Sequence, residues 1–159
     1  MTGGQILLRE GGQADLGAVM AVMDDSFDPR FGEAWNHAQC AGLLPMPGVW
    51  LTLAREGDIV LGFALARFVA DEAELLLLAV RAAAQRRGIG RILIEDFEAA
   101  AQTRGASHLH LEVREGNQAF SLYRRAGFAL VGRRGGYYSG QKGDRYDALT
   151  LAKSCGNLR

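Results

Sequence analysis

The run Gln85-Arg86-Arg87-Gly88-Ile89-Gly90-Arg91 is the densest piece of chemistry in the chain. With Arg81 it sets four guanidinium groups among residues 81–91, with no acid between them. Arginine offers a planar fork of donors that matches phosphate oxygens. Gly88 and Gly90 carry no Cβ, so backbone N–H groups can approach an anion closely. Together these residues predict a site for a diphosphate. The competing reading is an arginine-rich solvated turn.

The elements around the run decide how it is held. Leu75-Leu76-Leu77-Leu78-Ala79-Val80 is a short apolar run bounded by charge, which reads as a buried strand. Ile92, Leu93, Phe97 and Ala100 recur at helical spacing, so a helix begins near Ile89. The first turn of a helix has N–H groups without partners and a partial positive charge. Strand, basic glycine loop and helix therefore form an anion site. The dinucleotide fingerprint fails because Leu93 stands where its third glycine is required, and no Gly-Lys-Ser or Gly-Lys-Thr occurs for a nucleotide P-loop.

The remaining pattern is α/β. Strands are read at Ile6–Arg9, Val49–Arg55, Ile59–Phe68, Ala73–Val80, His108–Arg114, Phe128–Arg134 and Tyr146–Ala152. Helices are read from about Asp15, over Glu33–Leu44, from Ile89 and over Gln118–Ala126, with Gly135–Gly143 as a loop. Two strands flanking the helix from Ile89 make a parallel βαβ unit. About seven strands and four helices give a mixed α/β sandwich.

From Leu75 to Leu151 the order of features resembles the GNAT superfamily of N-acetyltransferases. The pieces are Leu78-Ala79-Val80, Gln85 to Gly90, Leu111-Glu112-Val113-Arg114, Asn117 before a helix, and Leu122-Tyr123-Arg124-Arg125-Ala126-Gly127-Phe128. Arg133-Arg134-Gly135-Gly136-Tyr137-Tyr138, followed by Gly143 and Asp147-Ala148, is similar to the ribosomal-protein-alanine N-acetyltransferase (RimI) type. The run from Asn117 to Tyr123 is one residue shorter than is usual there, and Arg81 stands at a commonly acidic position.

The resemblance implies a mixed, mostly antiparallel seven-stranded sheet with a central parallel βαβ unit, in a single domain over residues 1–159. It implies acetyl-CoA as co-substrate and no metal. Leu78, Ala79 and Val80 would meet the acetyl-pantetheine arm. Gln85, Arg86, Arg87, Gly88, Ile89, Gly90 and Arg91 would hold the pyrophosphate, and Asn117 would contact coenzyme A. Glu112 would be the general base and Tyr123 the general acid. The acceptor would be a protein N-terminus, with ribosomal proteins among the implied partners; the alternatives are a small amine, an antibiotic or a lysine side chain as acceptor, or an acyl-CoA-binding module without turnover.

Each role has a plain structural rival. Glu112 alternates with Leu111 and Val113, so it faces away from them. It could be a solvent-facing or salt-bridged carboxylate, with Arg114 as partner. Tyr123 could pack against Phe128. Tyr137 and Tyr138 could grip the acceptor or lie in a solvated turn. Asp24, Asp25 or Asp28 in the acceptor cleft would favour a polycation. The four glycines at 135, 136, 140 and 143 suggest a mobile loop.

Composition limits the alternatives. The chain has 159 residues, 48% of them hydrophobic, 23% charged, and a formal net charge of zero. That size suits one domain with its own core. Zero net charge gives no bulk attraction to nucleic acid or membrane. No apolar run reaches membrane-spanning length, and Ile6-Leu7-Leu8 is too short for a signal peptide. Cys40 and Cys155 lack metal or redox spacing and read as free thiols in a reducing, cytoplasmic setting. Monomer and homodimer both remain open.

Overall fold

Seven strands pair in one sheet in the order β1-β2-β3-β4-β5-β7-β6. The structure is a computed structural model and describes residues 4–155. The strands are β1 (Ile6–Gly11), β2 (Val49–Glu56), β3 (Ile59–Val69), β4 (Glu72–Val80), β5 (His108–Arg114), β6 (Ala129–Ser139) and β7 (Arg145–Ser154). The helices are α1 (Leu16–Ser26), α2 (His37–Leu43), α3 (Ile89–Thr103) and α4 (Ala119–Arg125). Only β4 and β5 run parallel, joined through α3 as the expected βαβ unit. No helix among the described residues is long and apolar enough to cross a membrane.

Helices cover both faces of the central strands. Leu93, Ile94 and Phe97 of α3 pack on one face with Leu75, Leu109 and Leu111. Val19, Val22 and Met23 of α1 pack on the other with Leu53, Phe63 and Leu77. This is why β2 and β3 read as continuous apolar runs rather than alternating ones. Phe97 is 1% exposed, so truncation to alanine would cost about 3–5 kcal/mol.

One irregularity in β4 positions everything that follows. Leu65 pairs with Leu77 but Ala66 pairs with Leu75, so Leu76 is an extra, bulged residue. Before the bulge Ala73 and Leu75 face α3; after it Leu77 and Ala79 face α1. Leu78 and Val80 thereby turn to the α3 side. At the same place β4 parts from β5: their pairing runs from Glu72↔His108 to Leu75↔Leu111 and goes no further. β5 stays paired with β7 as far as Arg114↔Ala148. The sheet therefore opens as a wedge between Leu76–Val80 and Glu112–Arg114.

Two sequence expectations change. The second helix begins at His37, not Glu33. Asn36 accepts from the Gln39 N–H at 2.8 Å while Gln39 returns a bond to the Asn36 N–H at 2.7 Å, a capping box that fixes the start. Residues 135–139 are strand rather than loop. Arg134 pairs with Ala148 and Tyr138 with Tyr146, leaving three residues opposite Asp147 alone. The Asp147 carboxylate holds this bulge by accepting from the Gly136 N–H at 2.8 Å and from Arg133 at 2.6 Å.

Candidate active site

The wedge turns backbone donors into open space. Arg81 N–H bonds to the Leu61 carbonyl at 2.8 Å, so this is a hydrogen-bonded pair of the β3–β4 ladder. In an antiparallel ladder the next pair, Gly62↔Val80, is then non-hydrogen-bonded. The N–H and C=O of Val80 point away from β3, towards the side where β5 has departed. The same parity applies to Leu78, opposite Ala64. The Val80 carbonyl accepts from Gln85 Nε2 at 3.2 Å, which ties strand to loop.

The glycine loop ends in an open helix start. Gly88 is the N-cap of α3 at φ +80°, and it supplies no side-chain bond. The first intrahelical donor is Ile92 N–H, to the Gly88 carbonyl. The N–H groups of Ile89, Gly90 and Arg91 are thus left over, as in any first turn. Gly88 is needed for its left-handed backbone, since a Cβ there would meet nothing. At Gly90 a Cβ would lie 2.9 Å from Leu122 Cδ2, the movable end of a side chain of α4. Arg86 also adopts a left-handed φ of +71°, a strained state for a side-chain-bearing residue.

The four arginines divide. Arg86 and Arg91 line the cavity that occupies the wedge. Arg91 also pairs with Glu95 at 3.0 Å on the helix surface. Arg81 donates to the Val60 carbonyl at 2.8 Å, and Arg87 pairs with Glu56 of β2 at 3.0 Å. Arg87 therefore turns away from the cavity among whose lining residues Gln85, Arg86, Gly88, Ile89, Gly90 and Arg91 stand. The local acid-free sequence hid this, because Glu56 comes from another strand.

The cavity measures about 1370 Å³, beyond the roughly 300–1,000 Å³ usual for a drug-sized ligand. Its far wall is the segment between α1 and α2. Asp28 N-caps a 3-10 turn, Pro29–Phe31, by accepting from the Arg30 N–H. Phe31 packs edge-on to Tyr146 at 5.2 Å and lies under the Arg114 guanidinium at 3.7 Å. Glu33, nearly buried, sits 3.2 Å from Arg114 Nε without an aligned hydrogen bond, and accepts from Asn117 Nδ2 at 2.6 Å. The wall also touches the β6–β7 turn backbone to backbone, with Gln141 N–H donating to the Pro29 carbonyl.

Glu112 and Tyr123 both face this cavity. Glu112 Oε2 is 2.8 Å from Arg134 Nε and accepts from Thr150 at 3.4 Å. The salt-bridged reading of Glu112 thus holds with a different partner, because Arg114 is taken by Glu33. Tyr123 is 6% exposed and packs edge-on to Phe128 at 6.2 Å. Burial, reinforced by Tyr138 and Glu33, pushes its phenol well above the ordinary tyrosine value. Burial and the charges of Glu33 and Glu112 raise Tyr138 likewise. Asn117 lines the cavity, but its amide is engaged: Nδ2 with Glu33 and Oδ1 with the Ala119 N–H at 2.7 Å, at the start of α4. Of the three acids raised for the acceptor cleft, Asp28 lines it, while Asp25 instead accepts from the Ala82 N–H at 2.7 Å.

Sequence reasoning missed Phe31 and Glu33, and named Arg134 only within the Arg133–Tyr138 string, with no role at the site. Phe31 and Glu33 lie in a stretch with no clear periodicity, and the Glu33 contacts span 81 and 84 residues to Arg114 and Asn117. Only the Asp28-Pro29 turn signal hinted that the chain leaves the helix here to build a wall.

A family model described as the acetyltransferase (GNAT) family matches residues 17–128, which include β4, the glycine loop, Glu112 and Tyr123. The chain belongs to that family. A curated relative is the [ribosomal protein bS18]-alanine N-acetyltransferase of Haemophilus influenzae, 36% identical over 97 residues. That match covers 61% of this chain and spans just under two thirds, 66%, of the relative's length. The streptothricin acetyltransferase of Streptomyces lavendulae is 34% identical over 109 residues, covering 67% of this chain and 57% of that one. Among solved structures, the ribosomal-protein-S18-alanine N-acetyltransferase of Escherichia coli superposes with a TM-score of 0.86 at 27% identity. It covers 98% of this chain and 97% of its own. The GNAT fold is thus common to both along nearly their whole lengths.

Proposed function

We propose that this protein transfers an acetyl group from acetyl-CoA to the N-terminal α-amine of a protein, in the cytoplasm. The observation that carries this reading is the wedge. Two unpaired backbone positions, a carboxylate and a buried phenol converge on one cavity that begins at an open helix start. Acetyl-CoA supplies an activated thioester. The Ile89, Gly90 and Arg91 N–H groups, with Arg86 and Arg91, bind its pyrophosphate. Gln85 and Gly88 shape that turn, and Leu78, Ala79 and Val80 guide the pantetheine arm along the edge of β4. Asn117 acts from the other wall, holding Glu33 and the start of α4 beside the arm.

The chemistry follows from what each group can give. An α-amine has a pKa of about 7.7–8.0, so a modest base suffices to free its lone pair. Glu112 accepts that proton, directly or through water. The amine nitrogen forms a bond to the thioester carbon while the carbonyl electrons move to oxygen. Val80 N–H, free of its ladder bond, meets the developing oxyanion. When the C–S bond breaks, the sulfur takes the proton of Tyr123, whose burial keeps it protonated, and the surplus proton on the new amide nitrogen passes to the tyrosinate, directly or through water. Phe31, Tyr137 and Tyr138 border the acceptor end.

The similarity to bS18-alanine enzymes supports an alanine-initiated protein, with a ribosomal protein as partner. The streptothricin relative favours a second reading, a small amine acceptor in the same site. Thiol release from acetyl-CoA separates them. An Ala-initiated peptide supports release under the first reading; release with spermidine or a streptothricin-like amine alone overturns it.

A further inference from the structure

We propose that Arg134 occupies the place of the acceptor's ammonium group in the resting protein and is displaced when the acceptor arrives. This rests on the reading of Glu112 as the acceptor-side carboxylate. Glu112 is 16% exposed at its side chain, whereas Arg134 is 61% exposed. A carboxylate this deep that faces the cavity has one cation upon it, 2.8 Å away, from a residue that reaches in from the surface. Oε2 is shared between that guanidinium and the Thr150 hydroxyl.

The position of Arg134 in its strand suits a movable group. It is the last paired residue of β6 before the three-residue bulge opposite Asp147. Its neighbour Arg133 is bound to both Glu115 and Asp147, while Arg134 has Glu112 alone as an ionic partner among the described residues. Beside it the exposed Tyr137 ring lies 5.1 Å from the guanidinium, a face on which a cation can rest after leaving the carboxylate. Water reaches the Arg134 side of the pair, so its attraction to Glu112 is weaker than that of a fully buried pair.

An arriving ammonium meets two forces here. Glu112 attracts it, and Arg134 repels it at close range. Only one cation is needed to balance one carboxylate, so the guanidinium gives way and the ammonium takes its place beside Oε2. The proton that Glu112 is to receive is then already hydrogen-bonded to it. An uncharged amine is not repelled and cannot replace the guanidinium as the carboxylate's counter-charge, so it binds beside the intact Arg134–Glu112 pair, and the exchange takes place only below the amine's pKa. The other ionisable groups near Glu112 are His110, beside it on β5, and Tyr138, on β6. The His110 ring nitrogens lie 3.5 Å from Glu72 and 3.7 Å from Glu74, so its cation is balanced by those two carboxylates and Arg134 is the cation paired with Glu112.

The experiment measures KM for an Ala-initiated peptide in the Arg134→Gln variant and the native protein, at about pH 6.5 and about pH 9. These values lie on either side of an α-amine pKa of about 7.7–8.0. The expected result is a KM lowered about two- to fivefold at the acid pH, the scale of an exposed ion pair, with no difference at the alkaline pH. Arg134→Lys, which keeps the cation, is expected to retain the native KM at both. A KM that is unchanged or raised at the acid pH, or lowered equally at both, overturns the proposal. Turnover of Glu112→Gln is read separately. Full turnover there removes Glu112 as base, while the Arg134→Gln comparison still decides whether a cation competes with the acceptor.

Discussion

Gly140→Ala tests how the acceptor wall is held. Gly140 lies in the β6–β7 turn, and its Cβ would overlap the Arg30 carbonyl oxygen, with the Arg30 carbonyl carbon 2.9 Å away. Its φ is outside the left-handed region, so alanine suits the backbone and the conflict is one of space. Carbon–carbon contacts settle at about 3.5–4.0 Å, so the wall must withdraw by at least about 0.6–1.1 Å. Overpacking of this kind costs about 1–3 kcal/mol. The wall carries Phe31 and Glu33, and a displacement of about 1 Å at a reactive site can cost up to about 10²-fold in rate. The expected result is a fall of about 10- to 100-fold in kcat/KM for the acceptor peptide. KM for acetyl-CoA should stay at its native value, since the α3 start lies on the other wall. Steady-state kinetics with each substrate varied in turn, alongside a melting curve, reads this. Native kcat/KM for the peptide in a folded variant would refute the reasoning that backbone contact sets the wall.

Glu112→Gln should lower turnover by about 10²–10⁴-fold and leave coenzyme A affinity nearly intact, as calorimetry would show. Tyr123→Phe removes only the hydroxyl from a buried ring, so the melting temperature should hold while the single-turnover rate falls; full activity would leave Tyr123 with a packing role alone. Arg86→Ala should raise KM for acetyl-CoA more than Arg87→Ala does, because Arg87 is spent on Glu56. His110 has its pKa raised, first by the Glu74 carboxylate 3.7 Å from its Nε2 and then by the charges of Glu72 and Glu112. Its stabilising effect is therefore complete below its unfolded value of about 6.5 and is lost as pH rises through the raised folded value. Denaturation midpoints followed upward from about pH 6.5 should show that decline, and His110→Gln should flatten it.

The strands and α3 were legible because their burial is written as pattern. The apolar runs of β2 and β3, the alternation of β5 and the helical spacing after Gly90 all follow from contact with a covering layer. The wedge was not legible. Its cause is one extra residue, Leu76, in a run of four leucines that offers no local sign of where pairing slips. The wall was hidden for a related reason. Glu33 reads as ordinary helix surface until Arg114 and Asn117 arrive from distant parts of the chain. Arg87 looked like a phosphate ligand since sequence spacing counts charges and cannot show that Glu56 lies opposite. Asp147, by contrast, was flagged only as part of a string, and the bulge at Gly135–Tyr137 supplies its physical reason.

The most direct measurement is fragmentation mass spectrometry of a peptide that begins with alanine and carries an internal lysine, after incubation with the protein and acetyl-CoA. The expected product carries one acetyl group, on the α-nitrogen of the first residue, and its amount matches the thiol released. Acetyl found on the lysine side chain alone, or no acetylated peptide while a small polyamine is consumed, would contradict the account.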